Sequence, residues 1–407
     1  MDKQKIVTGE RSCAATLAGG TVESVRFQEE ERTSVRVYEG GKIGVAGRIG
    51  GGDDAALEQS AREALAYGIP YPSALCGGEV RSADTRTEIL SERDFLPAVK
   101  KLAARLKERF PSFIFSNKIS MEEGKVRYTD SAGTDLFYAG NAFVVSLAVK
   151  EAASANIMDL AYGAVRGYYD EDAIVSDLSK LLDVYGNVLA LPEEALPVII
   201  DVNIVQYLLG HFMAETYQSG AGLLSGKMGQ KIFGDEVDIL LDRTPGKEPL
   251  VRFFDDEGVT LPGDQFYFVK EGRLCGLAAY RRTAAEFSLP LSGCGRAPFD
   301  GAPMCGNFSG LEVDAHGKKL SEAVKGRAVY ISVVSGGDMT PDGKFATPVM
   351  CAYLYEDGKL IGRLPEFGIS GNIFDLFGKN MLAIAENDLY GYTKETVLVS
   401  RFSIDKK

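Results

Sequence analysis

Apolar and polar residues alternate through much of the first fifty positions, the period of strands with one face covered. Ser34-Val-Arg-Val-Tyr and Ile43-Gly-Val-Ala flank Glu39-Gly-Gly-Lys, a hairpin signal whose glycines are free to take positive φ. Asp53 or Asp54 then caps a helix running through Ala66. The period changes at Ser91: Phe95, Leu96, Val99, Leu102, Leu106 and Phe110 share one face of a second helix, which Pro111 stops. Phe113-Ile-Phe-Ser and Lys125-Val-Arg-Tyr read as strands separated by a turn at Glu122-Glu-Gly, and Asp130-Ser-Ala-Gly-Thr turns the chain into a long strand over residues 136–150. Residues 172–185 form a third helix, with Ile174, Leu178, Leu181 and Leu182 on one side. Pro192 and Pro197 mark residues 186–197 as a boundary, so the expected domains are 1–188 and 189–407.

The second domain opens on Val198-Ile-Ile, a short buried strand, after which Asn203 and Gln206 make a capping-box pattern. Ile204, Val205, Leu208, Leu209 and Phe212 then repeat at helical spacing, and His211 and Glu215 fall on that same apolar face, one turn apart. A glycine-rich turn, Gln218-Ser-Gly-Ala-Gly, breaks the helix before it restarts around Leu223. Further on the chain is strand-rich: hairpins pair residues 266–269 with 274–277 and residues 350–354 with 360–362, and residues 329–334 and 396–400 make further strands. Phe253-Phe-Asp-Asp-Glu-Gly-Val reads as a solvated acidic turn, since it lacks the ligand spacing of a calcium loop.

His211 and Glu215 can be read in two ways. On one helix face they could be two ligands of a zinc ion, which needs at least one more protein ligand. Otherwise His211 is a buried histidine satisfied by a neighbouring carboxylate. The only other histidine, His316, lies in an Asp-Ala-His-Gly turn, so a third ligand would have to be Asp, Glu or Cys.

A net charge of −12 with no Lys/Arg cluster argues against nucleic-acid binding. Gly50-Gly-Gly-Asp-Asp lacks the Lys-Ser/Thr of a phosphate loop, and its carboxylates would repel phosphate. Six cysteines without a Cys-x-x-Cys pair point to free thiols in a reducing compartment. No apolar run approaches the roughly 18 residues of a membrane span, so the expectation is a cytoplasmic protein with no membrane contact.

Several stretches, in order, resemble the TldD/PmbA family, known as modulators of DNA gyrase and as peptide-maturation proteases. They are Ser34-Val-Arg-Val-Tyr-Glu-Gly-Gly-Lys-Ile-Gly-Val-Ala, Asp130-Ser-Ala-Gly, Leu209-Gly-His, Leu224-Ser-Gly-Lys-Met-Gly, Phe254-Asp-Asp-Glu-Gly-Val, Val269-Lys-Glu-Gly-Arg-Leu and Gly368-Ile-Ser-Gly-Asn. The resemblance implies a two-domain α+β fold with a mixed N-terminal α/β domain and a β-rich C-terminal domain. It also implies a dimer with a cleft, lined by Gly210, His211, Ser225, Gly226, Asp256, Glu257, Gly258, Gly371 and Asn372.

In the TldD kind of subunit a His-Glu-x-x-x-His helix and a C-terminal cysteine hold a metal. The PmbA (TldE) kind shares the fold without that motif. Here Gly210-His211 aligns with the motif's end, Gln206 and Tyr207 occupy the positions of its first His and Glu, and no cysteine follows Asn387. The chain therefore resembles the PmbA kind. It is expected to serve the maturation or degradation of unfolded peptides without a cofactor, beside a metal-bearing paralogue or as a self-dimer. Two alternatives are an active zinc metallopeptidase using His211 and Glu215, and a gyrase-modulating regulator.

Overall fold

In the computed structural model, which describes residues 1–72 and 74–406, the strands Asp2–Ala18 and Thr21–Glu39 form a hairpin closed by Gly19 and Gly20, both at positive φ. Six more strands complete an eight-stranded sheet, in the order Ile69–Pro70, Lys42–Ile49, Thr21–Glu39, Asp2–Ala18, Phe113–Asp130, Asp135–Glu151, Val80–Asp84, with Leu160–Arg166 also on Asp135–Glu151. Gly40 and Gly41 take φ of 58° and 71° in the expected hairpin. The turn expected at Glu122-Glu-Gly does not form. Phe113–Asp130 is one continuous strand, because Glu123 and Gly124 stay in register with Asn141 and Gly140 opposite.

The helix Glu92–Arg109, capped by Ser91, lays Phe95, Val99, Leu102 and Leu106 on the sheet against Phe115, Ile119 and Phe143. Each such side chain contributes about 1.5–3 kcal/mol on burial. On the exposed side of this helix, Arg105 pairs with Glu171 and Asp172, and Arg109 with Asp183, in the next helical segment. That helix, Glu171–Leu182, carries Ile174, Leu178 and Leu181 into the same core, which continues to Tyr330, Tyr353, Val397 and Val399 of the second domain.

Strands of the first sheet end at Arg166 and those of the second domain begin at Val198. A nine-stranded sheet runs Met381–Glu386, Thr396–Ser400, Val198–Asp201, Arg327–Val334, Lys344–Glu356, Phe367–Asn372, Ser403–Lys406. Asp338–Met339 and Lys359–Leu364 also pair with its long strand Lys344–Glu356. A four-stranded sheet of Arg273–Leu274, Gln265–Lys270, Ile239–Asp242 and Leu311–Val313 packs beside it through Phe268, Ile239 and Leu241. The chain is α+β in two domains. No helix among the described residues is long and apolar enough to cross a membrane.

Candidate functional site

The segment after Val198–Asp201 departs from the expected single helix. Asp201, not Asn203, caps it by accepting from the Asn203 N–H at 2.8 Å. Val202–Leu208 is a 3-10 helix, Leu209–Phe212 one α-turn, and Ala214–Gln218 a separate short helix. The break lies at Met213, extended at φ −61° and ψ 132°. Here the backbone bonds to a distant segment instead of to itself, in an isolated bridge: Ala278 N–H donates to Phe212 O at 2.8 Å and Ala214 N–H to Ala278 O at 2.9 Å. His211 and Glu215 therefore do not share a helix face. His211 is half-buried, while Glu215 is exposed.

The partner of His211 is the backbone, not the carboxylate. Its Nδ1 accepts the Leu223 N–H at 3.1 Å, which puts the imidazole proton on Nε2, and burial lowers its pKa. Residues 222–230 form turns in place of the expected helix, with Gly226 and Gly229 at φ of 74° and 76°. Ser225 Oγ ties the loop down, accepting from Gly222 N–H at 3.1 Å and donating to Thr216 O at 3.4 Å. Asn372 caps the helix Ile373–Leu376 and donates from Nδ2 to Asp342 O at 3.0 Å. A Cβ added at Gly343 would lie 3.5 Å from both Asn372 Nδ2 and Leu223 Cδ2. Gly210, His211, Ser225, Gly226, Gly371 and Asn372 thus belong to one neighbourhood, joined through Leu223.

The donors here do not fit a resident metal. Gln206 is exposed, Tyr207 stacks on Phe345 with its hydroxyl toward Gly336 O, and the His211 Nδ1 is committed to Leu223. Among the described residues no three His, Cys, Asp or Glu side chains are grouped so as to hold an ion.

Asp256, Glu257 and Gly258 lie elsewhere, at the junction of the two domains, and the acidic turn is not solvated: Asp255 and Glu257 are 0% exposed. Asp255 accepts three backbone N–H bonds, from Glu257, Val259 and Gly295, at 2.8–3.0 Å. Glu257 accepts the Arg281 N–H at 2.7 Å and the Tyr71 hydroxyl. Gly258, at φ 74°, sits flat on Tyr128, where a Cβ would come within 2.4 Å of the ring. The Arg281 guanidinium in turn reaches Ala74 O at 3.0 Å, Gln4 Oε1 at 3.1 Å and the face of Tyr38. Burial raises both Asp255 and Glu257. The three N–H donors favour the Asp255 anion, so Glu257 is the member that holds the proton, with its pKa pushed up to about 7 by burial and by Asp255. This buried network locks the two domains together.

The family profile named PmbA/TldA metallopeptidase C-terminal domain matches residues 193–404, more than half of the chain, and the profile for domain 1 matches residues 6–67. The chain belongs to the PmbA/TldA metallopeptidase family. TldE from Thermococcus kodakarensis superposes with a TM-score of 0.84 at 18% identity, over 100% of this chain and 97% of that one. A proposed modulator of a DNA gyrase from Thermotoga maritima gives 0.79 at 18% identity, over 99% and 95%. Both likenesses are of fold. A metalloprotease of Methanocaldococcus jannaschii, MJ0996, is 27% identical over 237 residues, 54% of this chain and 52% of that protein. The match thus spans about half the length of that relative.

Sequence reasoning missed the arginines at the domain junction. Val35 and Val37 face the helix Asp54–Glu63, which leaves Ser34, Arg36 and Tyr38 on the other side of the strand, and only the docked second domain shows that this side is buried. A polar residue between two strand valines was the one available signal.

Proposed function

We propose that this chain is a subunit serving the proteolytic maturation or degradation of unfolded peptides, without a metal centre of its own, beside a metal-bearing paralogue. The observation that carries this reading is the donor set at positions 206, 207 and 211. An amide and a phenol stand where a zinc site needs an imidazole and a carboxylate, and the one imidazole is bonded through Nδ1 to Leu223. The metallopeptidase name of the family and the metalloprotease name of the Methanocaldococcus relative support proteolysis as the setting.

The edge strands Met381–Glu386 and Ser403–Lys406 of the nine-stranded sheet offer backbone groups to an extended peptide. A folded protein, whose backbone is already paired, is refused. The turn expected at 368–372 is instead part of the paired strand Phe367–Asn372, so residues 219–229 and the end of that strand at Gly371 and Asn372 are the surfaces offered to the paralogue. Elemental analysis of the purified chain tests the reading: less than about a tenth of a zinc per chain is expected. One zinc per chain, lost in His211→Ala, would overturn it in favour of a catalytic site at His211.

A further inference from the structure

A cavity of about 700 Å³ lies between the face of the first sheet and the loops of the second domain. Its floor is built from alternate residues of paired strands: Ile6, Thr8 and Ser12 lie opposite Ser34, Arg32 and Gln28, with Glu10 between Thr8 and Ser12 on the same face. Its wall carries Arg252, Asp256, Arg296 and the loop 306–309, which buried Arg243 holds by donating to Asn307 O at 3.1 Å and Ser309 O at 3.2 Å.

Two buried polar groups on the floor have no partner. Arg36 is 1% exposed; its Nη1 donates to Asp256 O at 2.7 Å, but its Nε bonds to nothing. The Ser34 hydroxyl, in a residue 4% exposed, is likewise unpaired. A buried guanidinium N–H left without an acceptor costs free energy that a bound acceptor recovers. The other charges near this end are accounted for. Arg252 pairs with Asp256, which also accepts the Ala297 N–H at 2.8 Å, and Arg32 pairs with Glu30. Burial alone would raise Asp256, but Arg252, the Ala297 N–H and Arg36 hold it below its ordinary pKa, so it stays anionic. Arg36 acts on Asp256 without an ion pair at contact distance, Arg296 has no ion pair among the described residues, and both line the cavity.

The other end is acidic. Glu10 lies opposite Glu30, six residues along the strand from Arg36, or about 20 Å at the usual strand rise. Glu122 follows, opposite Ser12. Neither has a cation paired with it among the described residues, whereas neighbouring Glu123 is neutralised by Lys125 and Arg86, and Arg11 by Glu92.

We propose that this cavity binds the C-terminal carboxylate of a peptide on Arg36, Ser34 and Arg296, with the peptide's amino end toward Glu10 and Glu122. The inference rests on the peptide-handling role proposed above and adds to it a terminus that is read. The Arg36 Nε–H and the Ser34 hydroxyl each donate to a carboxylate oxygen, and the exposed Arg296 closes over the charge. Anionic Asp256 beside them disfavours a doubly charged phosphate more than a singly charged carboxylate. About 20 Å from basic to acidic end accommodates an extended peptide of roughly six residues, whose two terminal charges match the two ends.

Isothermal titration of the full chain with an alanine–glycine hexapeptide, with its C-terminal amide and with inorganic phosphate tests this. The free acid is expected to bind at least about tenfold more tightly than the amide, as loss of a charge-assisted hydrogen bond implies. Arg296→Ala and Ser34→Ala should abolish that preference. Both are mild substitutions whose fold is certified by unchanged far-UV circular dichroism, whereas Arg36→Met removes a buried bond between the domains. Equal binding of acid and amide, no binding of the acid at millimolar concentration, or tighter binding of phosphate than of the acid overturns the assignment. The outcome is separable from the subunit role. Selectivity in a chain that does not support cleavage with the paralogue keeps the site and discards the role, and supported cleavage without selectivity does the reverse.

Discussion

Replacing Glu257 by glutamine isolates the proton held at the domain junction. The carboxyl is fully buried, accepts from Arg281 N–H and Tyr71, and has a pKa raised from 4.5 to about 7 by burial and by Asp255. A folded-state pKa above the unfolded value means that the folded chain binds the proton more tightly. The resulting stability is fully present below pH 4.5 and is lost as the pH rises through 7. Each pH unit separating the folded from the unfolded pKa is worth about 1.4 kcal/mol, so the loss comes to about 3 kcal/mol. Glutamine mimics the protonated acid, accepting from Arg281 N–H through its oxygen and donating to the Tyr71 oxygen. Glu395, also raised to about 7 by burial and by Asp201, adds a parallel slope to both proteins, so the difference between them reports the coupled Glu257–Asp255 pair. Urea unfolding at intervals from pH 4.5 to 8.5 should show the variant pulling ahead as the pH rises, to a plateau of about 3 kcal/mol above pH 7. Parallel curves across that range would refute the assignment of the proton to Glu257.

Two further substitutions probe the two neighbourhoods. Gly258→Ala forces a Cβ onto the Tyr128 ring at a positive φ, and should cost about 3 kcal/mol or more, or prevent folding, as read by thermal melting; a melting temperature within a degree or two of the parent's would contradict the close approach. His211→Ala leaves the Leu223 N–H without its acceptor and should cost about 1 kcal/mol by urea unfolding, the usual worth of one such bond. Unchanged stability combined with lost support of peptide cleavage would make His211 functional instead.

Local patterns were legible where the residues that decide an element lie within it. Phe95, Val99, Leu102 and Leu106 define the helix Glu92–Arg109 from their own spacing, and Ser91 caps it as a polar residue just before an apolar period should. Gly40 and Gly41 likewise made their hairpin readable. The pattern failed where a distant backbone decides. Met213 breaks a helix whose apolar period is unbroken, because Ala278 offers its neighbours strand-like hydrogen bonds. The acidic turn read as solvated because the groups that satisfy Asp255 and Glu257 include Tyr71, Arg281 and Gly295, remote in sequence. The same applies to Arg36, whose burial depends on a loop more than two hundred residues away. The weak donor set at 206, 207 and 211 was readable early, since it rests on residue types and not on contacts.

The central claim is that this chain works on peptides only beside a metal-bearing partner. The most direct test is cleavage of an unfolded peptide by the purified chain, with zinc supplied, and by the chain mixed with a His-Glu-x-x-x-His paralogue. The account predicts no cleavage by the chain alone. The mixture should form a specific dimer burying more than about 1,000 Å² and cleave faster than the paralogue by itself, with a chelator stopping the reaction. Cleavage by the lone chain that a chelator abolishes would contradict it.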